Sequence, residues 1–183
     1  MNRMKDQIEK RPAAFIDRDG TLVEEVNFLS RIEDLRVFPF TAEAIRLLRE
    51  KGYRIVVVTN QSGIGRRIYG ESEMRSIHDA MQEQLGGAID AFYFCPHLPW
   101  EGCRCRKPSL GMIEDAVTDL NIDLGRSWMI GDKKIDVETG KNAGIPSALV
   151  LTGYGSKHVR SLENRPEVVA DDLLEAVKQI VQD

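Results

Sequence analysis

The sequence lacks long hydrophobic runs, an excess of basic residues and any abundance of cysteine, and each shortage excludes a class of protein. The longest aliphatic run covers residues 55–58 and is far too short to cross a bilayer. Basic residues number 25 and acidic residues 29, a net charge of −4 that argues against electrostatic binding to nucleic acid or an anionic membrane. The N-terminal segment MNRMKDQIEKR is charged and has no apolar stretch typical of signal peptides. We therefore expect a cytoplasmic monomer with neither nucleic acid nor a membrane as a partner.

The three cysteines all lie in one short loop, residues 95–107, which reads CPHLPWEGCRCRK. An odd number of cysteines without an export signal argues against a framework of disulfide bonds. Three thiolates and an imidazole form the ligand set of a closed tetrahedral zinc site, which has no open position for catalysis. The alternative is a cluster of metal-free cysteines, but the surrounding prolines, glycine and arginines are unlike a hydrophobic core. We therefore predict a structural zinc ion bound by Cys95, His97, Cys103 and Cys105.

Short apolar runs alternate along the chain with segments of helical period. The length of 183 residues fits one domain, which we place over residues 1–183 with residues 1–11 as an N-terminal extension. This alternation predicts an α/β fold, with a mostly parallel sheet covered by helices on both faces. The predicted strands are residues 13–16, 54–58, 90–94, 127–130 and 147–151, and the predicted helices are residues 42–49, 71–85, 110–120, 133–143 and a last helix capped by Asp171 and ending near residue 181.

Polar motifs follow four of the predicted strands: DRDGT at 17–21, TNQSG at 59–63, RKP at 106–108 and GDKKID at 131–136. Ligands of such folds bind beyond the C-terminal ends of the strands, so these motifs should meet at one edge of the sheet. Asp17 and Asp19 are two positions apart and project to the same side of an extended segment. Together with Asp132 they form an oxygen-rich set suited to Mg²⁺. The metal would neutralise the repulsion between a carboxylate nucleophile and a phosphate dianion.

Each motif residue also has a purely structural interpretation. Carboxylates after strands often cap the next helix, residues 59–60 could form a simple turn, and Lys107 could be a solvated side chain. Four such coincidences at one sheet edge are far less probable than one shared site. Asp136 lies on the same helical face as Asp132 and either orients Lys107 or caps a helix. His78 sits in an apolar helical pattern typical of a core or boundary position, and the sequence assigns no role to His158.

The four motifs, in this order, resemble those of the haloacid dehalogenase superfamily of phosphatases over about residues 12–153. The resemblance implies a Rossmann-like fold of that superfamily and the following roles. Asp17 would be the nucleophile that becomes an aspartyl-phosphate, and Asp19 the general acid and then the general base. Thr59 and Lys107 would stabilise the transferring phosphoryl group. Asp132 would hold Mg²⁺ together with Asp17 and the backbone carbonyl of Asp19.

The cysteine loop is similar to that of the D-glycero-D-manno-heptose 1,7-bisphosphate phosphatases and the related histidinol-phosphate phosphatases. This similarity implies removal of the 7-phosphate of a heptose bisphosphate, a small phosphorylated sugar, in ADP- or GDP-heptose biosynthesis. The short intervals after the first two strands leave no room for a large cap domain. The residues that the resemblance places around the substrate are Arg18, Glu24, Glu25, Val26, Asn27, Thr59, Asn60, Gln61, Ser62, Arg106, Lys107 and Lys133. Histidinol phosphate is the alternative substrate, and a catalytically silent, zinc-stabilised binding module is the alternative of another class.

Overall fold

Six parallel strands form the central sheet of the computed structural model, which describes residues 9–182. Their order is β3-β2-β1-β4-β5-β6. The strands are β1 (Ala13–Ile16), β2 (Arg54–Asn60), β3 (Ala91–Cys95), β4 (Trp128–Gly131), β5 (Ser147–Val150) and β6 (Val168–Ala170). The predicted parallel α/β fold is therefore confirmed. Residues 1–8 of the expected N-terminal extension lie outside the described residues.

In the part of the chain that the structure describes, seven helices connect or flank the strands: α1 (Thr41–Glu50), α2 (Ser62–Gly65), α3 (Glu71–Gln84), α4 (Gly111–Leu120), α5 (Lys134–Ala143), α6 (Gly155–His158) and α7 (Leu173–Ile180). Single-turn 3₁₀ segments cover Ile32–Asp34, Leu124–Arg126 and Val159–Ser161. Within residues 9–182, the connections contain no additional folded domain, which agrees with the expected absence of a large cap. Nor is any helix in this range both long and apolar enough to span a membrane.

The core has two layers because successive strand residues point to opposite faces of the sheet. In β1, Ala14 and Ile16 pack in the layer that contains α1, α3 and α7, whereas Ala13 and Phe15 pack in the layer that contains α4. All four residues of β1 are buried, as expected for a central strand that is covered on both faces.

The last strand and the cap of the last helix differ from the sequence prediction. Strand β6 was not predicted, because it has only three residues and lies at the edge of the sheet, where Val169 is exposed. The last helix is capped by Asp172 and not by Asp171, since the Asp172 carboxylate accepts a hydrogen bond from the Glu175 backbone N–H at 3.0 Å. The two aspartates are adjacent, and only the backbone conformation decides which one faces the helix end.

Candidate active site

The C-terminal end of β1 and the loop that follows β3 bring a buried carboxylate and a buried ammonium group into contact. Asp17 follows β1, and its backbone N–H donates to the carbonyl of Ile130 at 2.9 Å. The Lys107 ammonium lies 2.9 Å from Asp17 Oδ1, and both side chains are nearly inaccessible to solvent. Burial by itself would raise the pKa of Asp17, but the charges of Lys107 and Lys133 outweigh burial and lower it. Asp17 is therefore ionised, as a nucleophile must be.

Asp136 has both roles that the sequence left open. Its Oδ1 accepts a hydrogen bond from the Lys107 ammonium at 2.6 Å, and its Oδ2 accepts one from the Lys133 backbone N–H at 3.0 Å. It therefore caps the start of α5 and orients Lys107 at the same time. Lysine has three N–H donors, so pairing with Asp17 and Asp136 leaves one donor for another acceptor.

Asp132 is completely buried, and its environment fits a cation. Its Oδ2 accepts a hydrogen bond from the Tyr154 backbone N–H at 2.8 Å, but among the described residues its Oδ1 has no hydrogen-bond donor. The Lys133 ammonium is 3.7 Å from Oδ1, beyond hydrogen-bonding distance. Burial and the nearby charge of Asp17 raise the pKa of Asp132 to about 8. A buried carboxylate oxygen that accepts no hydrogen bond and lies beside a second carboxylate is the kind of oxygen donor that Mg²⁺ prefers.

The backbone of the first motif is shaped around Asp132. Gly20 has a φ of +84°, a left-handed conformation that favours glycine. A Cβ atom at this position would also collide with the Asp132 carboxylate. Carboxylate oxygens of Asp17, Asp132 and Asp136 lie within 4.8 Å of one another. Because both Asp136 oxygens already accept hydrogen bonds, Asp17 and Asp132 are the side chains that could hold Mg²⁺.

Gln61 connects the two remaining catalytic candidates. Its amide nitrogen donates to Asp19 Oδ2 at 2.9 Å and to the Thr59 hydroxyl oxygen at 2.8 Å. Since the Thr59 oxygen accepts from Gln61, its own hydrogen is free to be donated elsewhere. Arg18 does not extend into solvent, because its guanidinium forms an ion pair with Asp19 at 2.9 Å.

Asn60 is engaged with the backbone of Lys107. Its Oδ1 accepts from the Lys107 N–H at 3.0 Å, and its amide nitrogen donates to the Lys107 carbonyl at 3.3 Å. The C-terminal residue of β2 thereby holds the backbone that carries the buried ammonium group. The sequence analysis predicts that Asn60 contacts the substrate, but the sequence contains no signal for its hydrogen bonds to the Lys107 backbone.

Two cavities open at this sheet edge. The smaller, of about 40 Å³, is lined by Asp17, Asp19, Thr59, Asn60, Lys107, Lys133 and Ile135. The larger, of about 120 Å³, is lined by Arg18, Asp19, Glu25, Val26, Asn27, Phe28, Leu29, Asn60, Gln61, Ser62, Gly63, Tyr69 and Lys133. Asp19, Asn60 and Lys133 line both cavities and therefore mark their boundary.

Most of the substrate-contact candidates line one or both cavities, and two line neither. In the described part of the chain, Glu24 lies exposed outside both cavities, and Arg106 donates to the His97 carbonyl oxygen at 3.1 Å. Lys133 is held at the boundary by Glu25 at 2.9 Å and lies 3.9 Å from Asp17.

The cysteine loop brings four ligand atoms together. Cys105 Sγ lies 3.1 Å from Cys95 Sγ and 3.6 Å from Cys103 Sγ, and His97 Nδ1 lies 3.2 Å from Cys105 Sγ. A tetrahedral zinc ion with Zn–S bonds of about 2.3 Å would separate its sulfurs by about 3.8 Å. The sulfur separations are far longer than a disulfide bond of about 2.05 Å. The donor set and its spacing therefore fit zinc.

Comparison with known proteins agrees with the resemblance to phosphatases of the haloacid dehalogenase superfamily. A family model described as HAD-hydrolase-like matches residues 104–176. The chain is 38% identical to a D-glycero-D-manno-heptose-1,7-bisphosphate 7-phosphatase of Thermosynechococcus vestitus, over 93% of this chain and 95% of the relative. It is 35% identical to a D-glycero-beta-D-manno-heptose-1,7-bisphosphate 7-phosphatase of Haemophilus ducreyi, over 93% and 98% of the two chains.

Among solved structures, the chain is similar to a D,D-heptose 1,7-bisphosphate phosphatase from B. bronchiseptica in complex with magnesium and phosphate. The TM-score is 0.85 at 31% identity, and the match covers 93% of this chain and 98% of the other. Identity, coverage and fold agree, and the chain belongs to the D,D-heptose 1,7-bisphosphate phosphatase family of the HAD-like hydrolases.

Proposed function

We propose that this protein is a Mg²⁺-dependent phosphatase that removes the 7-phosphate of D-glycero-D-manno-heptose 1,7-bisphosphate through an aspartyl-phosphate on Asp17. The observation that carries the proposal is the position of Asp19 at the boundary of the two cavities. A phosphoryl group in the smaller cavity would meet Asp17, Thr59 and Lys107. A sugar in the larger cavity would place the bridging oxygen beside Asp19.

In the first step, an Asp17 oxygen attacks phosphorus and the bond between phosphorus and the C7 oxygen breaks. Asp19 gives a proton to the leaving alcohol. The free N–H of Lys107 and the Thr59 hydroxyl donate to phosphoryl oxygens, where negative charge redistributes. Asp17 and Asp132, with the Asp19 backbone carbonyl, would hold Mg²⁺, which supplies charge neutralisation between the nucleophile and the phosphate dianion.

In the second step, Asp19 takes a proton from water as the water oxygen attacks the phosphorus of the aspartyl-phosphate. The bond between phosphorus and the Asp17 oxygen breaks, so that inorganic phosphate leaves and the carboxylate is restored. The Lys133 ammonium adds positive charge at the cavity boundary, where Glu25 holds it. Zinc has a separate and structural role in the proposal, because its four ligands complete a tetrahedral shell.

We further propose that residues 1–183 form a single domain, and that the protein acts as a cytoplasmic monomer on a small phosphorylated sugar. The net charge of −4 supports the absence of a nucleic-acid or membrane partner.

The test compares kcat/KM for the α- and β-heptose 1,7-bisphosphates, histidinol phosphate and a 3′-phosphorylated oligonucleotide, with Asp17→Asn as the matched control. We expect a heptose bisphosphate to be preferred, and phosphorus NMR to show a product that retains its 1-phosphate. A higher kcat/KM for histidinol phosphate would overturn the substrate assignment. No turnover by the wild type above that of Asp17→Asn would instead identify a catalytically silent binding module.

A further inference from the structure

A buried network behind Asp19 is not used by the chemistry described above. It begins at Arg18, whose side chain is 1% exposed although it lies between two motif aspartates. The Arg18 Nε is 3.1 Å from both oxygens of Asp19, and its Nη2 is 2.9 Å from Asp19 Oδ1. A buried guanidinium has further N–H groups that need acceptors, because an unpaired buried polar group is costly. Those acceptors come from two distant segments.

His78, on α3, supplies the first acceptor. Its Nε2 lies 3.4 Å from Arg18 Nη1. Arginine can only donate, so Nε2 must accept and the ring proton must lie on Nδ1. Burial, reinforced by the charges of Arg18 and Arg75, lowers the pKa of His78 to about 3 and keeps the ring neutral. The ring is stacked on Phe92 of β3, with centroids 4.3 Å apart, which fixes its orientation.

Gln61 supplies the second acceptor, and Tyr69 holds it in place. The Gln61 Oε1 accepts from Arg18 Nη2 at 3.1 Å and from the Tyr69 hydroxyl at 2.6 Å. With both donors on one side of the amide, the Gln61 nitrogen must face Asp19 and Thr59. The Tyr69 ring is buried and covers Gly63 so closely that a Cβ there would collide with it.

We propose that His78 and Tyr69 are positioning residues for Asp19, the general acid and base of the proposed phosphatase reaction. They touch neither the phosphoryl group nor its leaving oxygen. His78 fixes the Arg18 guanidinium and Tyr69 fixes the Gln61 amide, so the Asp19 carboxylate is held from both sides at the cavity boundary. The inference rests on the proposed function, since only proton transfer makes the exact placement of this carboxylate important.

The leaving group separates this role from a merely structural one. The C7 alkoxide of a sugar phosphate is a poor leaving group and needs the proton that Asp19 supplies. The phenolate released from p-nitrophenyl phosphate is stable without protonation. A misplaced Asp19 therefore slows the first phosphoryl transfer from the sugar phosphate much more than that from the aryl phosphate. Loss of stability alone would affect both substrates equally.

Three variants test the network. His78→Phe keeps the stack on Phe92 and removes the acceptor, whereas His78→Gln places an amide oxygen near the position of Nε2. Tyr69→Phe keeps the ring over Gly63 and removes the hydroxyl. Tyr93→Phe is the matched control, because the Tyr93 hydroxyl donates at 2.9 Å to Asp119 on the surface, away from both cavities. Thermal unfolding and zinc content verify that each variant is folded.

We measure kcat and KM for each variant with heptose 1,7-bisphosphate. Rapid-quench experiments measure the rate of the first phosphoryl transfer from the heptose bisphosphate and from p-nitrophenyl phosphate. Since misplacement by about 1 Å can cost up to about 10²-fold, we expect His78→Phe to lower kcat for the sugar phosphate by about tenfold, with KM within about twofold. Tyr69→Phe should lower kcat by about threefold, and the aryl phosphate transfer should change by less than about twofold. His78→Gln should recover most of the loss, and Tyr93→Phe should match the wild type.

Equal losses with both substrates, or wild-type kcat in both His78→Phe and Tyr69→Phe, would overturn the positioning role. A His78→Gln variant as slow as His78→Phe would overturn the acceptor assignment. These results differ from a failure of the proposed function, in which the wild type itself would not hydrolyse the heptose bisphosphate.

Discussion

Replacement of Asp136 by asparagine tests the electrostatics at the centre of the site. The carboxylate offers two acceptor oxygens, one to the Lys107 ammonium at 2.6 Å and one to the Lys133 backbone N–H at 3.0 Å. A carboxamide of the same shape offers one acceptor and one NH₂ group. Whichever way the amide turns, a buried donor will face another donor.

The magnitude follows from burial. Asp136 and Lys107 are 1% and 2% exposed, so solvent cannot replace the lost partner. A buried unsatisfied donor costs about 1–3 kcal/mol, and removal of one member of a buried ion pair costs about 3–5 kcal/mol. Lys107 keeps Asp17 as an ion-pair partner at 2.9 Å, so the full cost of a broken buried ion pair does not apply. We expect the free energy of unfolding to fall by about 2–4 kcal/mol, which lowers the Tm by about 5–15 °C in a chain of this size.

Catalysis should also be affected. Without the Asp136 carboxylate, the Lys107 ammonium group is attracted to Asp17 alone. This closer pairing stabilises the Asp17 nucleophile in its resting state and withdraws the Lys107 ammonium group from the phosphoryl site. We expect kcat to fall by about 10–10²-fold, as for other losses of catalytic positioning. The assays are thermal unfolding and phosphate release at saturating Mg²⁺.

The matched control is Glu43→Gln, which removes an acidic partner from Arg46 on the exposed face of α1. Exposed ion pairs contribute little, so this variant should unfold and turn over like the wild type. If Asp136→Asn behaved in the same way, Asp136 would not be the group that holds Lys107, and the charge arrangement derived above would be wrong.

Four further predictions address the nucleophile, the two metals and a buried histidine. Asp17→Asn should abolish turnover while fold and zinc content are retained, and wild-type activity in this variant would exclude an aspartyl-phosphate. Chelation of Mg²⁺ should abolish phosphate release, and added Mg²⁺ should restore it. The Asp132→Ala variant should require much more Mg²⁺ for the same activity. Undiminished turnover in metal-free buffer would contradict the magnesium assignment. Cys105→Ala should lose zinc and lower kcat/KM by up to about 10²-fold, because the loop also carries Lys107. Metal analysis of the wild type should find about one zinc ion per chain, and kinetics that survive zinc loss would show that the loop does not depend on the metal. Burial lowers the pKa of His78 from 6.5 to about 3, so between these values only the unfolded chain binds this proton. The free energy of unfolding should therefore decrease as the pH falls through this window, by up to about 1.4 kcal/mol per pH unit. In the His78→Gln variant, the free energy of unfolding should depend less steeply on pH. Identical slopes for the variant and the wild type would contradict a neutral buried His78.

Much of the architecture could be predicted because its signals are local. Each of the first five strands is a short apolar run, and their predicted bounds agree with the structure within two residues. A parallel sheet then places the segments that follow these strands at one edge, so the polar motifs of distant segments are predicted to form one site. Strand β6 escaped prediction because three residues, one of them exposed, carry too weak a pattern.

The zinc cluster was predictable for a related reason. Its four ligands lie within eleven consecutive residues, so the possible arrangements are few and the residue types indicate the metal. By contrast, the partners of individual side chains were not predictable. Asn60 was expected at the substrate, and the sequence contains no pattern that reveals its two hydrogen bonds to the backbone of Lys107.

By itself, then, the sequence determined the order of the first five strands, the family motifs and the candidate ligands of both metal sites, because each depends on residue type and short-range spacing. Only the tertiary structure decided that Asp136 accepts hydrogen bonds from both Lys107 and the Lys133 backbone. The same holds for the contact between His78 and Arg18, which are 60 positions apart in the chain. Those contacts depend on strand order, helix placement and side-chain rotamers. A hydrogen bond forms or fails over less than 1 Å, and no periodicity along the chain encodes distances that small.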